Sequence, residues 1–322
     1  MISIVIPIFN EEENLHHLYD RLKNSSESWN EDYEVILVDD GSVDQSTDIM
    51  RSLAVKDTHY KIVRFSRNFG HQAAISAGIK VSSGDAVIIM DGDLQDPPEE
   101  LHRFLAKWRE GYEVVYAIRR KRKESIFKKL SYKIFYRLLN WISDIEIPLD
   151  SGDFCVMDKK VVKVLNDIMP EQLRFVRGLR AYAGFKQIGV EYERSERAAG
   201  EAKYTYRKLL KLAIDGLFGF STFPIRVATY FGLIIAIPSF LMGLFFIIHR
   251  IFNFRIFGYT STDTPGLATL TVGIFFLGGV IIIILGIIGE YIGRIYFEVK
   301  KRPFYIIESI YTKDEETIVP WQ

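Results

Sequence analysis

Two stretches without a charged residue, Val227 to Ile248 and Thr264 to Gly289, constrain the fold of this chain more than any other feature. Each is roughly 20 residues or longer, enough for a helix to cross a hydrocarbon core. A soluble chain of 322 residues has little room for two helices with no polar stripe. Two transmembrane helices are expected, at about 227–250 and 264–289. Arg207, Lys208, Lys211 and Arg226 precede the first, and Arg294, Lys300, Lys301 and Arg302 follow the second. The connecting segment offers only Arg250 and Arg255 near the spans, so the positive-inside rule puts both termini in the cytoplasm. Met1-Ile2-Ser3-Ile4-Val5-Ile6-Pro7 is a strand pattern without the basic region of a signal peptide, which agrees with that topology. The expected location is the cytoplasmic (inner) membrane, crossed more than once.

Lysine plus arginine and aspartate plus glutamate each total 41, so no net field recruits nucleic acid. The hydrophobic residues, 48% of the chain, are concentrated after residue 220. The single cysteine, Cys155, excludes an internal disulfide framework and reads as a small core side chain.

Before residue 118 the texture is soluble. Ser3 to Pro7, Tyr33 to Asp39, Tyr60 to Phe65, Ala86 to Met90 and Glu113 to Ala117 have strand character, and helical patterns near 11–27, 44–56, 70–81 and 98–109 separate them. This βαβ rhythm predicts an α/β fold with a mostly parallel sheet covered on both faces, where ligands bind beyond the carboxyl ends of the strands. Those ends read Pro7-Ile8-Phe9-Asn10-Glu11, Asp39-Asp40-Gly41-Ser42, Ser66-Arg67-Asn68-Phe69-Gly70 and Asp91-Gly92-Asp93-Leu94-Gln95. Four polar, turn-forming ends on one edge suggest a nucleotide pocket. Neither G-x-G-x-x-G after the first strand nor G-x-x-x-x-G-K-[ST] anywhere is present, so a diphosphate here must be met by side chains and a cation. Asp91 and Asp93, spaced i, i+2 at a strand end, suit a hard cation such as Mg²⁺ or Mn²⁺.

Residues 119–142 change character. Arg119-Arg120-Lys121-Arg122-Lys123 leads into Ile126, Phe127, Leu130, Ile134, Phe135, Leu138, Trp141 and Ile142 at helical spacing. That pattern fits a basic amphipathic helix in a membrane interface and equally a covering helix with a solvated basic face. Helices are expected over 159–168 and 172–183 and a strand near 186–192, followed by a charged, glycine-bearing loop from Arg194 to Tyr204. Such loops close over substrates. The domain reading is 1–204 for the soluble domain, 205–226 for a juxtamembrane amphipathic helix, 227–289 for the spans, and 290–322 for an interfacial helix and tail. Gly289 and Gly293 at i, i+4 would allow close helix approach and oligomerisation.

The four strand-end motifs, with Asp96-Pro97-Pro98 completing the last, resemble the motif series of family 2 inverting glycosyltransferases. Together with the spans and Gly289-Glu290-Tyr291-Ile292-Gly293-Arg294-Ile295-Tyr296, they are most similar to membrane-anchored polyprenyl-phosphate glycosyltransferases of the dolichyl-phosphate mannose synthase and bacterial undecaprenyl-phosphate glucosyltransferase type. The resemblance covers nearly the full chain and departs at Gly92, where many relatives have alanine. It implies a GT-A type Rossmann-like fold with a mixed, mostly parallel sheet, and a nucleoside diphosphate sugar as donor, with UDP-glucose favoured over UDP-N-acetylglucosamine, UDP-galactose and GDP-mannose. It also implies a polyprenyl phosphate acceptor and a homo-oligomer, a tetramer by family likeness. Pro7, Phe9 and Glu11 would line the nucleoside site, Asp39 and Asp40 would hold base or ribose, and Asp91, Asp93 and Gln95 would surround the metal and diphosphate. Arg119 would lie near the phosphates, Arg197, Lys203 and Tyr204 on the closing loop, and Asp153 near the reacting centre. The rival readings are a processive polysaccharide synthase, whose Q-x-x-R-W motif is missing, and a nonenzymatic membrane scaffold, against which the retained Asp91, Asp93, Gln95, Arg197 and Lys203 argue.

Overall fold

The structure, a computed structural model, describes residues 1–119, 151–169, 171, 174–193, 223–252, 267–313 and 315–318. The chain divides into two compact units, one of Met1–Trp141, Ile145–Gly216 and Lys301–Gln322, the other of Ile142–Asp144 and Leu217–Lys300.

In the first unit, β1 (Ile2–Ile8), α1 (Leu15–Ser26), β2 (Tyr33–Asp39), α2 (Ser46–Lys56), β3 (Tyr60–Phe65), α3 (His71–Val81), β4 (Ala86–Ile89), α4 (Leu101–Arg109) and β5 (Val114–Arg119) follow the alternation read from the sequence. The strand β6 (Ser151–Asp158), the helices α5 (Lys159–Lys163) and α6 (Val176–Tyr182), and β7 (Gln187–Tyr192) complete the wall, and β8 (Ile307–Tyr311) and β9 (Glu316–Ile318) return to it from the far end of the chain. Among the described residues nine strands form one sheet in the order β7-β5-β6-β4-β1-β2-β3-β8-β9.

Side-chain period explains which elements form. β1 is buried almost throughout, as a central strand covered on both faces must be. In α1 the buried Leu15, Leu18, Tyr19 and Leu22 make one helical stripe against the sheet. Pro98 opens the short 3₁₀ turn ahead of α4, whose Leu101, Phe104 and Leu105 face the core.

Two features extend the sequence reading. The sheet is mixed: β1–β2, β1–β4, β2–β3 and β5–β7 are parallel, whereas β4–β6, β5–β6, β3–β8 and β8–β9 are antiparallel. A mixed sheet is what the resemblance implies: it is parallel from β4 through β1 and β2 to β3, and antiparallel pairings bring in β6 on one side and β8 and β9 on the other. β6 escapes a sequence reading because it opens on Ser-Gly-Asp, turn chemistry, yet Phe154 to Met157 are buried between β4 and β5. Residues 307–311 form a strand that pairs with β3, an element that the reading of 290–322 as an interfacial helix and tail does not include.

In the second unit, α7 (Phe223–Phe252) and α8 (Leu267–Val299) cover both charge-free stretches. Among the described residues one stretch, Phe276–Val299, is long and apolar enough to cross a membrane, with 24 residues at mean hydropathy 2.2. It runs past Gly289 because Glu290 and Arg294, one turn apart, pair at 3.0 Å. Most of the 119–142 segment and of the 205–226 helix lies outside the described residues.

Gly78 shows how tightly α3 sits on the sheet. A Cβ there would come within 2.2 Å of Val5 Cγ1 and 3.2 Å of Val38 Cγ2. Alanine ordinarily stabilises a helix by about 0.5–1 kcal/mol over glycine, but overpacking costs about 1–3 kcal/mol, and the fully buried, β-branched Val5 has little freedom to move. Gly78→Ala should lower the melting temperature in detergent, as read by scanning calorimetry.

Candidate active site

β2 and β3 extend the sheet from one side of β1, and β4 from the other, so the strand order reverses between β1 and β4. Ligands of open α/β sheets bind at such a switch point. The crevice has a local cause in Pro7. Val5 O accepts from Met90 N at 3.2 Å, so the next group of that row on β1 is the nitrogen of Pro7, which has no hydrogen to donate. The β1–β4 register ends at Val5 opposite Ile89, and the strands part where Phe9, Glu11, Asp91 and Asp93 follow.

The acidic turn beyond β4 is held from within. Asp93 is buried, and its Oδ1 accepts from Gln95 N at 3.2 Å while Leu94 takes a left-handed φ of 60°. Asp96, also buried, accepts a hydrogen bond from the Tyr192 hydroxyl at the end of β7. At Gly92 a methyl group would meet Ile8 Cδ1 at 2.6 Å, the mobile tip of a side chain, so the difference from alanine-bearing relatives is sterically small.

The neighbouring loops are tied by the other predicted site residues. Asp39, fully buried, accepts from Ser42 N at 2.8 Å and Thr47 Oγ1 at 2.6 Å, closing the turn into α2. Asp40 accepts from Phe69 N at 2.7 Å and Gly70 N at 3.0 Å, clasping the loop after β3. Burial raises the Asp40 pKa against the pull of these two amides. Gly41 sits between them at φ 70°, where a Cβ would lie 2.6 Å from the backbone of Arg67 and Asn68. Glu11 donates its amide to Ser46 Oγ at 2.9 Å and accepts from Asn14 Nδ2 at 2.7 Å.

Asp153 reaches this place through β6. The antiparallel register sets Ile89 opposite Cys155, and continuing it by two residues brings Asp153 alongside Asp91. Two cations that the sequence analysis did not identify complete the group. His71 Nε2, at the start of α3, lies 3.6 Å from Asp91 Oδ1 and 3.5 Å from Asp153 Oδ2, and the Arg177 guanidinium of α6 lies 3.3 Å from Asp153 Oδ1. The order is anion, cation, anion, cation. His71 directly follows the Ser66–Gly70 motif, but nothing in its spacing announces a partner 82 residues away, since 153 − 71 = 82.

The charges follow from this order. Burial works against protonated His71, yet the hydrogen bond to Asp153 and the charges of Asp91 and Asp153 outweigh it and push the ring up to about 9. Burial likewise opposes ionised Asp153, but Arg177 and His71 win and hold it far below the ordinary carboxylate range. Asp91 moves the other way, up to about 6, because burial and the carboxylates of Asp96, Asp153 and Asp93 exceed the help from His71. With 28% of its side chain exposed, Asp91 is partly screened by water.

The Arg119 backbone ends β5, and Arg197, Lys203 and Tyr204 lie outside the described residues. Among the described residues no group of three or more histidine, cysteine, aspartate or glutamate side chains is arranged to hold a metal ion. Asp91 and Asp93 supply hard oxygen donors, and their crowding is the condition a cation relieves, so the donor set suits Mg²⁺ or Mn²⁺ completed by water and phosphate oxygens.

A mixed α/β sheet of GT-A-like type, with acidic residues at its switch point, defines the class as a transferase of activated sugars. Residues 3–165 match Glycosyl transferase family 2. The chain belongs to this family and is a glycosyltransferase. It is 46% identical over 310 residues to the uncharacterized glycosyltransferase YkcC of Bacillus subtilis, covering 96% of this chain and 94% of that one. It is 40% identical to the prophage bactoprenol glucosyl transferase homolog of Escherichia coli, covering 96% and 99%. Similarity to the bactoprenol glucosyl transferase of Shigella phage SfX is 41%, covering 96% and 99%.

The raised His71 pKa has a signed consequence. Its folded value, about 9, lies above the ordinary 6.5, so its contribution to stability is complete below pH 6.5 and is lost as pH rises through 9. The melting temperature of wild type should exceed that of His71→Gln by a margin that shrinks between pH 6.5 and 9. A constant margin across a pH series of melts would contradict the ion-pair assignment.

Proposed function

We propose that this glycosyltransferase moves a hexose from a nucleoside diphosphate sugar, UDP-glucose first among the candidates, to the phosphate of undecaprenyl phosphate at the cytoplasmic face of the membrane, with inversion. The observation that carries the reading is the convergence of Asp91, Asp93 and Asp153 at the β1/β4 switch point. Two further findings support it. Relatives named bactoprenol glucosyl transferase align with 96% of this chain, and Phe276–Val299 has the composition of a membrane span. A second span in α7 and cytoplasmic termini follow from the basic flanks.

The reaction brings two anions together. The acceptor phosphate oxygen attacks the anomeric carbon as the bond from that carbon to the donor diphosphate breaks, and single displacement inverts the centre. Asp91 and Asp93, with Gln95 beside them, would hold the divalent cation, which supplies Lewis-acid support to the departing diphosphate. Pro7, Phe9, Glu11, Asp39 and Asp40 shape the nucleoside side of the crevice. Arg119, Arg197, Lys203 and Tyr204 are assigned to the phosphates, where repulsion at contact distance is several kcal/mol and cations must offset it. The acceptor needs little deprotonation, because a phosphate monoester has its second pKa near about 6. Asp153, held ionised between His71 and Arg177, is a poor proton acceptor and a good strut. Its role is to fix the reacting geometry.

Purified protein in nanodiscs with labelled UDP-glucose, Mn²⁺ and undecaprenyl phosphate should place label in organic-soluble lipid. Label in polymer would instead indicate a processive synthase, and no transfer with any donor of a panel would indicate a scaffold. Asp93→Ala should abolish turnover without loss of fold. Asp153→Asn should lower kcat by about tenfold with an unchanged pH profile. A loss of several orders of magnitude with an altered acid limb would make Asp153 the base.

A further inference from the structure

The C-terminal segment, beyond the last apolar helix, packs against the loop that Asp40 clasps. After α8 ends at Val299 the chain enters β8 at Ile307, antiparallel to β3, with Ile62 opposite Tyr311, Val63 opposite Ile310 and Arg64 opposite Ser309. The register then shifts between Arg64 and Phe65, and the amide of Ser66 donates to Ile306 O at 3.1 Å. Tyr305 stacks on Phe65 with ring centroids 5.2 Å apart and an interplanar angle of 11°. Phe65, 1% exposed, meets Phe69 edge-on at 5.7 Å, and Phe69 carries the Arg67 guanidinium 4.1 Å above its ring. On the other side Phe69 N and Gly70 N donate to Asp40. The Ser66–Gly70 loop is thus gripped between Asp40 and Tyr305, and His71 follows it directly.

We propose that Tyr305, with the strand it leads into, is a positioning residue for the donor site. It acts through Phe65 and Ser66 to keep the Ser66–Gly70 loop in the conformation that shapes the nucleotide side of the crevice. This rests on the reading of that crevice as the donor site. Losing a side-chain pair of this kind is enough to shift a loop equilibrium by up to about tenfold without unfolding the sheet that β3 belongs to. The stack needs an aromatic ring and no hydroxyl, so phenylalanine preserves it. Alanine leaves Phe65 uncovered and frees Phe69 to turn. The predicted signature falls on donor binding, because Tyr305 stacks on Phe65, which leads into the Ser66–Gly70 loop, whereas Asp91 and Asp93 are carried by the turn beyond β4 and Asp153 by β6.

The test compares wild type, Tyr305→Ala and Tyr305→Phe as full-length protein in nanodiscs. With UDP-glucose as donor, Tyr305→Ala should raise the donor KM about tenfold and leave kcat within about twofold, and Tyr305→Phe should restore the wild-type KM. In parallel, hydrogen exchange of the Phe69 and Gly70 amides should be about tenfold faster in Tyr305→Ala than in wild type. An unchanged KM beside an active wild type, or a fall in kcat alone, overturns the assignment. Unchanged exchange at Phe69 and Gly70 overturns it as well, and that measurement decides even if wild type does not use UDP-glucose. In that event the proposed donor fails and the positioning role is judged separately.

Discussion

Carboxylates crowded at one crevice are the constraint on which the rest of this site depends. Asp91, Asp93 and Asp96 come from the turn beyond β4 and Asp153 from β6, and their surroundings differ. Asp96 accepts a hydrogen bond from Tyr192 and still adds its charge to the crowding at Asp91. Asp153 is flanked by two cations and stays ionised. Asp91 has His71 beside it, but burial and the neighbouring carboxylates outweigh that help, and its pKa rises accordingly. This graded treatment separates the residues by role. Asp153 is locked in place, while Asp91 gains most from a further positive charge.

Much of the framework was legible from the sequence because its signals are local. Period-2 and period-3.6 patterns fall within single segments, so β1 to β5 and α1 to α4 lie close to where the sequence places them. The strand ends were legible for the same reason, since Pro7, Asp40 and Asp91 each stand at a change from apolar to turn-forming residues. What escaped depends on distance along the chain. β6 looks like a loop until β4 and β5 flank it, and β8 has meaning only against β3. His71 and Arg177 form their partnerships through the antiparallel β4–β6 register, and no spacing in one sequence encodes that register.

At Asp39 and Asp40 the structure adds chemistry that their adjacency does not announce. Their adjacency at the end of β2 suggested contacts to base or ribose. In the structure each carboxylate accepts hydrogen bonds from the chain itself, Asp39 from the turn into α2 and Asp40 from the loop after β3. A carboxylate has about four lone-pair sites, so these bonds do not exhaust either group. They do fix where any remaining acceptor capacity points, and Gly41 allows the two loops to approach more closely than any side chain would permit.

The order of the sheet also relates the two ends of the chain. A strand at the edge of a sheet invites unwanted pairing, and β3 would be that edge if the chain stopped at α8. β8 covers it, and Arg64–Glu308 at 3.2 Å with Arg51 over the Tyr311 ring at 4.2 Å fastens the cover on both faces. The same strand lies beside the loop that precedes His71. Edge protection alone would be met by any polar strand, whereas an aromatic stack directed at Phe65 adds a constraint on the crevice. The apolar helix therefore interrupts the folded domain in sequence rather than ending it, and the segment beyond it contributes to the architecture of the site.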